Sequence, residues 1–190
     1  MAQHRLILTS SGLDSPALES EFRRMLGSEP STRTCWYIPT APLRDGWPRA
    51  QVTNAMQEVG KRFGLTMAWI DPEYTTGDTL RAAIADKLGG RIDVIWAEMG
   101  NTYNLCYHIW KSGADKVITD AMDGGAIYVG ASAGSIMAGR TCQVRIPCAA
   151  QRPPARHVSH SGVPHLLYCS LRRWPCGRIG TTKRVREPSQ

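Results

Sequence analysis

Five short apolar runs recur along the chain up to residue 131, each followed by a stretch whose apolar residues repeat at helical spacing, and that alternation admits few folds. RLILTSS (5–11), TCWYIPTA (34–41), TMAWID (66–71), DVIWAE (93–98) and AIYVGA (126–131) are short and rich in β-branched or aromatic residues, so they read as strands. After the first, Ser15-Pro16 supplies a helix cap and first-turn proline, Leu18, Phe22, Met25 and Leu26 line one face, and Gly27 stops the helix. A second helix opens near Pro48 with Val52, Met56, Val59 and Phe63 on one side and Gly64 closing it. A third, from about Thr79, aligns Leu80, Ile84 and Leu88 before Gly89-Gly90. Two short helical patterns run from Gly100 to Asp123, and AGSIMAG begins another helix. Strands joined by helical crossovers predict a mostly parallel sheet in a layered α/β/α domain.

The totals agree with a single globular domain. Hydrophobic residues make up 42% and charged residues 21%, and no apolar run approaches the ~20 residues of a membrane helix. A soluble protein with no membrane partner is expected. The N-terminus MAQHRLILTSSG has one short apolar run, Leu6 to Leu8, against the ~7–15 residues of a signal-peptide core, so a cytoplasmic location is expected. The six cysteines are scattered, Cys35 and Cys106 fall in apolar segments, and no C-x-x-C pair occurs. Reduced thiols and no metal are therefore expected.

VGASAGSIMAG (129–139) sets Ser132 in a Gly-x-Ser-x-Gly frame at the junction of a strand and a helix, the context in which that motif presents a nucleophile. Small neighbours let the backbone turn sharply while the hydroxyl projects above the carboxyl end of the sheet. The N–H of Ala133 then faces the same place and suits an oxyanion. About thirty residues upstream, Glu98-Met99-Gly100-Asn101-Thr102-Tyr103 leaves the preceding strand, and strand ends of an open parallel sheet converge on one crevice. Gly100 is thus the candidate second oxyanion donor, with Asn101 and Thr102 as its supporting loop. An α/β-hydrolase also carries a serine elbow, but only 58 residues follow Ser132 and no HGGG-type loop is present.

VGASAGSIMAGRT, IWAEMGNTYNL and the α/β layout around them resemble the S51 serine peptidase family, which includes aspartyl dipeptidase (peptidase E) and cyanophycinase. The resemblance covers roughly residues 4–144, and the family's Gly-Gly-Asn-Thr loop is matched at Gly100, Asn101 and Thr102. It implies a flavodoxin-like, class I glutamine amidotransferase-like fold and a triad of Ser, His and an acid. It also implies a small peptide substrate, Asp-X among the options, and no cofactor. Carried over, Ser132 is the nucleophile and the amides of Gly100 and Ala133 form the oxyanion hole. One departure is visible: Glu98 and Met99 stand where the family usually has glycine.

A serine hydroxyl needs a base, and the base an acid, and in the S51 pattern both follow the serine, acid first. His157, His160 and His165 are available, and Val-Pro-His at 163–165 resembles the family's Pro-His, which makes His165 the candidate base. The acid has no credible occupant, because the one carboxylate side chain after Ser132 is Glu187, beyond every histidine.

Composition changes at the same place. Residues 141–190 carry nine Lys/Arg against Glu187 alone, with six of the twelve prolines and four of the six cysteines, whereas residues 1–140 hold 14 Lys/Arg against 15 Asp/Glu. The chain therefore divides into an S51-like α/β domain, 1–144, truncated relative to the family, and a basic Pro/Arg/Cys-rich tail, 145–190, without helix or strand period. Two functions stay open: a serine peptidase weakened by the missing acid, or an inactive scaffold whose tail binds nucleic acid or an acidic partner. Nucleic acid is the less expected partner, since Trp174 stands isolated and no organised basic and aromatic face is seen. Nothing in the sequence indicates the oligomeric state. The step in charge, Cys and Pro content is what a changed reading frame or alternative exon would leave. Sequencing the transcript across codons 141–150 tests this, and one uninterrupted frame in independent clones would overturn it.

Overall fold

The computed structural model describes residues 4–139, and its sheet has the five expected strands. They are β1 (Arg5–Thr9), β2 (Thr34–Ile38), β3 (Thr66–Trp69), β4 (Val94–Ala97) and β5 (Ile127–Ala131), all parallel, in the spatial order β1-β5-β4-β2-β3. The helices are α1 (Pro16–Leu26), α2 (Thr40–Arg44), α3 (Arg49–Phe63), α4 (Gly77–Leu88), α5 (Thr102–Ser112), α6 (Ala114–Asp123) and α7 (Ala133–Met137). From β3 through β2 and β4 to β5 the strands follow the flavodoxin-like order 2-1-3-4, and β1 occupies the fifth place. The order reverses between β2 and β4, so the crevice at the carboxyl ends of those strands is the natural site for a ligand.

Strand alternation assigns the layers. Cys35 and Tyr37, Val94 and Trp96, and Ile127 and Val129 pack with Phe22 and Leu26 of α1 and Val52 and Phe63 of α3. The intervening Trp36 and Ile38, Ile95 and Ala97, and Tyr128 face Leu80 and Ile84 of α4, Leu105 and Ile109 of α5, and Ile118 and Met122 of α6. Both faces of the three inner strands β2, β4 and β5 are therefore dry, which is why they read as nearly continuous apolar runs, whereas the edge strands β1 and β3 are partly exposed. Phe22 meets Phe63 edge to face at 4.8 Å, tying α1 to α3 across the first layer. Cys35 and Cys106 are both buried, and burial raises the Cys35 thiol well above its ordinary value, so it packs as an apolar residue.

Local signals set the helix ends. Ser15 accepts a hydrogen bond from the Leu18 N–H at 3.3 Å, and Gly64 takes a left-handed φ of 69° where α3 stops. Several boundaries differ from the sequence pattern by a residue or two, and two of the differences have clear causes. α4 begins at Gly77 rather than Thr79, because the Thr79 hydroxyl accepts from the Thr76 N–H at 2.8 Å and so closes the first turn instead of preceding it. The second strand ends at Ile38, and Thr40 to Arg44 form α2, where the sequence pattern predicts the end of a strand and a loop.

At the amino ends of the strands Asp93 joins β2 to β4. Its carboxylate accepts from the Thr34 N–H at 2.9 Å and from Arg33 at 3.0 Å, and it pairs with Arg91 at 2.9 Å. Burial pushes this carboxyl up, but the bonds from Thr34, Arg91 and Arg33 outweigh it and hold Asp93 below its ordinary value. A carboxyl lowered in this way stabilises the fold above the unfolded value, and that stabilisation is lost as pH falls through the folded value. Asp93→Asn is expected to cost about 1.5–3 kcal/mol at neutral pH. Urea melts should show that deficit shrinking below about pH 4; a deficit independent of pH would contradict the assignment.

Candidate active site

Three small residues decide how β5 turns into α7. A Cβ on Gly130 would lie 2.7 Å from the backbone of Gly134 and Ser135, and one on Gly134 would lie 2.8 Å from the Ala97 carbonyl carbon and collide with its oxygen. Without those side chains α7 descends onto the carboxyl ends of β5 and β4 at once. Ser132 sits between them with φ 43° and ψ −97°, and is the one non-glycine residue with positive φ among the described residues. Such a conformation costs about 1–3 kcal/mol and persists only where its surroundings impose it.

The surroundings are hydrogen bonds from three directions. The Ser132 N–H donates to Thr9 O at 2.8 Å, at the end of the neighbouring strand β1. Ser135 Oγ accepts from the Thr9 N–H at 2.9 Å and lies 2.8 and 2.7 Å from the carbonyl oxygens of Thr9 and Gly130, to which its proton is directed. Buried Tyr128 donates its hydroxyl proton to Gly134 O at 2.7 Å. Ser135 is thus a structural pin, and Ser132 the half-buried hydroxyl left at the tip of the turn.

The second loop is fixed with equal economy. Gly100 has φ 131°, and a Cβ there would lie 2.5 Å from the Ala41 carbonyl carbon, so no other residue fits. The Asn101 N–H donates to Ala41 O at 3.1 Å, and Asn101 Oδ1 caps α5 by accepting from the Asn104 N–H at 3.0 Å. Thr102 is the first residue of α5. Because Gly134 packs on Ala97, three residues before Gly100, this loop and the elbow share one end of the sheet. Among the described residues, the N–H groups of Gly100 and Ala133 have no hydrogen-bond acceptor. The departure at Glu98 has a local explanation: its carboxylate accepts from Trp96 Nε1 at 2.9 Å and from the Met99 N–H at 3.2 Å, so it is held by its own strand end.

Four predicted site positions, Gly100, Asn101, Ser132 and Ala133, therefore lie at the carboxyl ends of the adjacent strands β4 and β5, with Thr102 following in α5. His157, His160, His165 and Glu187 lie outside the described residues. Of the histidines within them, His4 pairs with Asp123 at 2.8 Å at the opposite end of β1, and His108 lies on α5. Neither hydrogen-bonds Ser132. No group of His, Cys, Asp and Glu among the described residues has the arrangement of a metal site. No helix among them is long and apolar enough to cross a membrane.

One polar pair at the far edge of the sheet escapes sequence reading. Asp71, just past β3, is 5% exposed and accepts from the Thr40 hydroxyl at 2.6 Å and the Glu73 N–H at 3.1 Å, while its Oδ2 has no hydrogen-bond partner. Burial raises its carboxyl above the ordinary value despite Thr40, His108, Arg44 and Arg49 nearby. Burial, aided by Arg44, in turn lowers the His108 imidazole. Strand β3 is the far edge of the sheet, three strands from β5, so this pair braces α2 and the Gly100 loop on it rather than serving Ser132. Its only sequence trace is the aspartate ending TMAWID.

A serine held in a strained strand-to-helix turn, near two backbone amides without acceptors among the described residues, at the carboxyl edge of a parallel sheet, has the backbone geometry of a nucleophile elbow. The chain belongs to peptidase family S51, whose family model matches residues 6–154. It is similar to an uncharacterized peptidase of Listeria monocytogenes, Lmo0363, with 31% identity over 132 residues, covering 70% of this chain and 59% of that protein. An uncharacterized peptidase of Listeria innocua, Lin0382, is 29% identical over 132 residues, 70% of this chain and 58% of that one. A crystal structure described as a candidate peptidase E from L. monocytogenes EGD-e superposes with a TM-score of 0.60 at 28% identity, over 75% of this chain and 65% of that one. The chain thus spans less than two thirds of the length of these relatives.

Strain at Ser132 yields an expectation opposite in sign for stability and reactivity. Ser132→Gly should raise stability by about 1 kcal/mol, as relief of strain exceeds the entropy cost of glycine. Gly134→Ala should lower it by about 1–3 kcal/mol through the clash with Ala97. Chemical denaturation measures both; a Ser132→Gly protein less stable than wild type would show that the turn is not strained.

Proposed function

We propose that the chain is a serine peptidase of the S51 kind acting on short peptides, with Asp-X dipeptides as first candidates. Ser132 Oγ attacks the scissile carbonyl, the amides of Gly100 and Ala133 hold the oxyanion, and a histidine takes the serine proton and returns it to the leaving amine. Water then resolves the acyl-enzyme. His165 is the proposed base, on the Val-Pro-His resemblance alone. The single observation that carries this reading is Ser132 itself: a strained, half-buried serine whose hydroxyl has no hydrogen bond among the described residues, near two amides that have no acceptor among them. This chemistry requires no metal or organic cofactor.

A specific feature of the sequence favours a second reading. Glu187 is the one carboxylate side chain after Ser132, and it follows every candidate histidine, so the triad acid has no occupant in the family order. Losing that acid costs on the order of 10⁴ in turnover, while an intact oxyanion hole keeps ~10³-fold acceleration over water. The alternative is therefore a catalytically silent scaffold whose basic segment, 145–190, engages an acidic partner or nucleic acid.

Hydrolysis of an Asp-X dipeptide by the full chain, by Ser132→Ala and by His165→Gln separates the two. The peptidase reading expects slow turnover by wild type, reduced to the uncatalysed rate in Ser132→Ala and at least ~10²-fold in His165→Gln. Equal rates in all three, with salt-sensitive heparin binding lost on truncation at residue 145, would establish the scaffold reading instead.

A further inference from the structure

The opposite end of the sheet carries a cavity of about 150 Å³, bounded by Arg5, Arg33, Arg91, Asp93, Met25 and the turn at Gly125 among others. Arg5 opens β1, while Arg33 and Asp93 immediately precede β2 and β4. Three guanidiniums therefore surround a cavity that holds one carboxylate. Asp93 serves two of them: it lies 3.0 Å from Arg33 and 2.9 Å from Arg91. Arg5 has no carboxylate partner among the described residues; it donates to the Met25 carbonyl oxygen. Arg91 also donates to Thr32 O at 3.3 Å. Burial, then the charges of Arg33 and Arg24, lower the Arg5 guanidinium below its ordinary value.

The lining thus has two uncompensated positive charges, partly withdrawn from water, converging on a space with room for about five waters at ~30 Å³ each. Like charges held together in a cleft are unfavourable unless a counter-ion joins them, and guanidinium forks match tetrahedral oxyanions through paired N–H donors. A phosphate monoester carries about −1.5 to −2 charges at neutral pH and inorganic phosphate somewhat less, which approaches the surplus.

We propose that this arginine-lined cavity at the amino ends of β1, β2 and β4 is a binding site for a small oxyanion of the phosphate class. The anion bridges Arg5 to Arg91 and Arg33 and closes the seam between α1 and the sheet on the side remote from Ser132. It takes no part in hydrolysis, so occupancy acts on stability rather than on the chemistry of the elbow.

Equilibrium dialysis of labelled inorganic phosphate against the full chain, at constant ionic strength set with chloride, tests the site. Saturable one-to-one binding is expected, displaced by sulfate but not by equimolar chloride. Arg91, with 59% of its side chain exposed, can be replaced without disturbing the core. Arg91→Gln and Arg5→Gln should each weaken binding about tenfold, as the loss of one charge-assisted contact dictates. Arg5→Lys, which keeps the charge but not the fork, should fall between Arg5→Gln and wild type. Absence of saturable binding, or unchanged affinity in a folded Arg91→Gln protein, would overturn the proposal.

Discussion

The contact of Gly134 with the carbonyl of Ala97 sets the height of α7 above the sheet, and the geometry of the candidate site follows from that height. With any side chain at Gly134 or Gly130, the helix would have to rise and the turn at Ser132 would relax toward ordinary φ. The strain is imposed from outside the turn, by Thr9 of β1, by the Ser135 hydroxyl and by Tyr128. Burial of Tyr128 and the surrounding core supplies the driving force, and the elbow stores a small part of it. The same close approach sets Ala97 in place, from which the Gly100 loop departs. Serine and loop are therefore two consequences of one packing contact.

Local periodicity made the fold legible. Strands buried on both faces need apolar residues at nearly every position, and crossover helices need one apolar face, so both patterns are written in consecutive residues. The failures have physical causes. α2 contains Pro42 and follows Pro39, which look like breakers; yet both fall in the first turn or before it, where a missing N–H costs nothing. Strand order was not legible in this way, because it depends on which faces meet after the chain has reversed. The Asp71–Thr40 bond joins residues 31 apart and leaves no local pattern.

The site was legible in half. Gly130, Ser132 and Gly134 form a short motif whose spacing carries its own mechanics, and Gly100 lies one loop away on the adjacent strand. A general base and its acid, by contrast, are brought to a serine by tertiary structure, so sequence offers only residue type and chain order. By that criterion His165 is a candidate and the acid has none, which makes the charge step after residue 140 the feature most relevant to activity. The two ends of the sheet also differ in electrostatic character: around Ser132 the carboxyl end presents backbone amides and hydroxyls, whereas the amino end carries three guanidiniums, two of them sharing Asp93.

Turn geometry, rather than residue type, singles out one serine. Ser132 and Ser135 lie one helical turn apart, but among the described residues the Ser135 hydroxyl is hydrogen-bonded and that of Ser132 is not. The most direct measurement is peptide mass mapping of the full chain after exposure to a fluorophosphonate. An adduct on Ser132 with Ser135 unmodified is the expected result; no adduct on Ser132, or equal modification of both serines, would contradict the account.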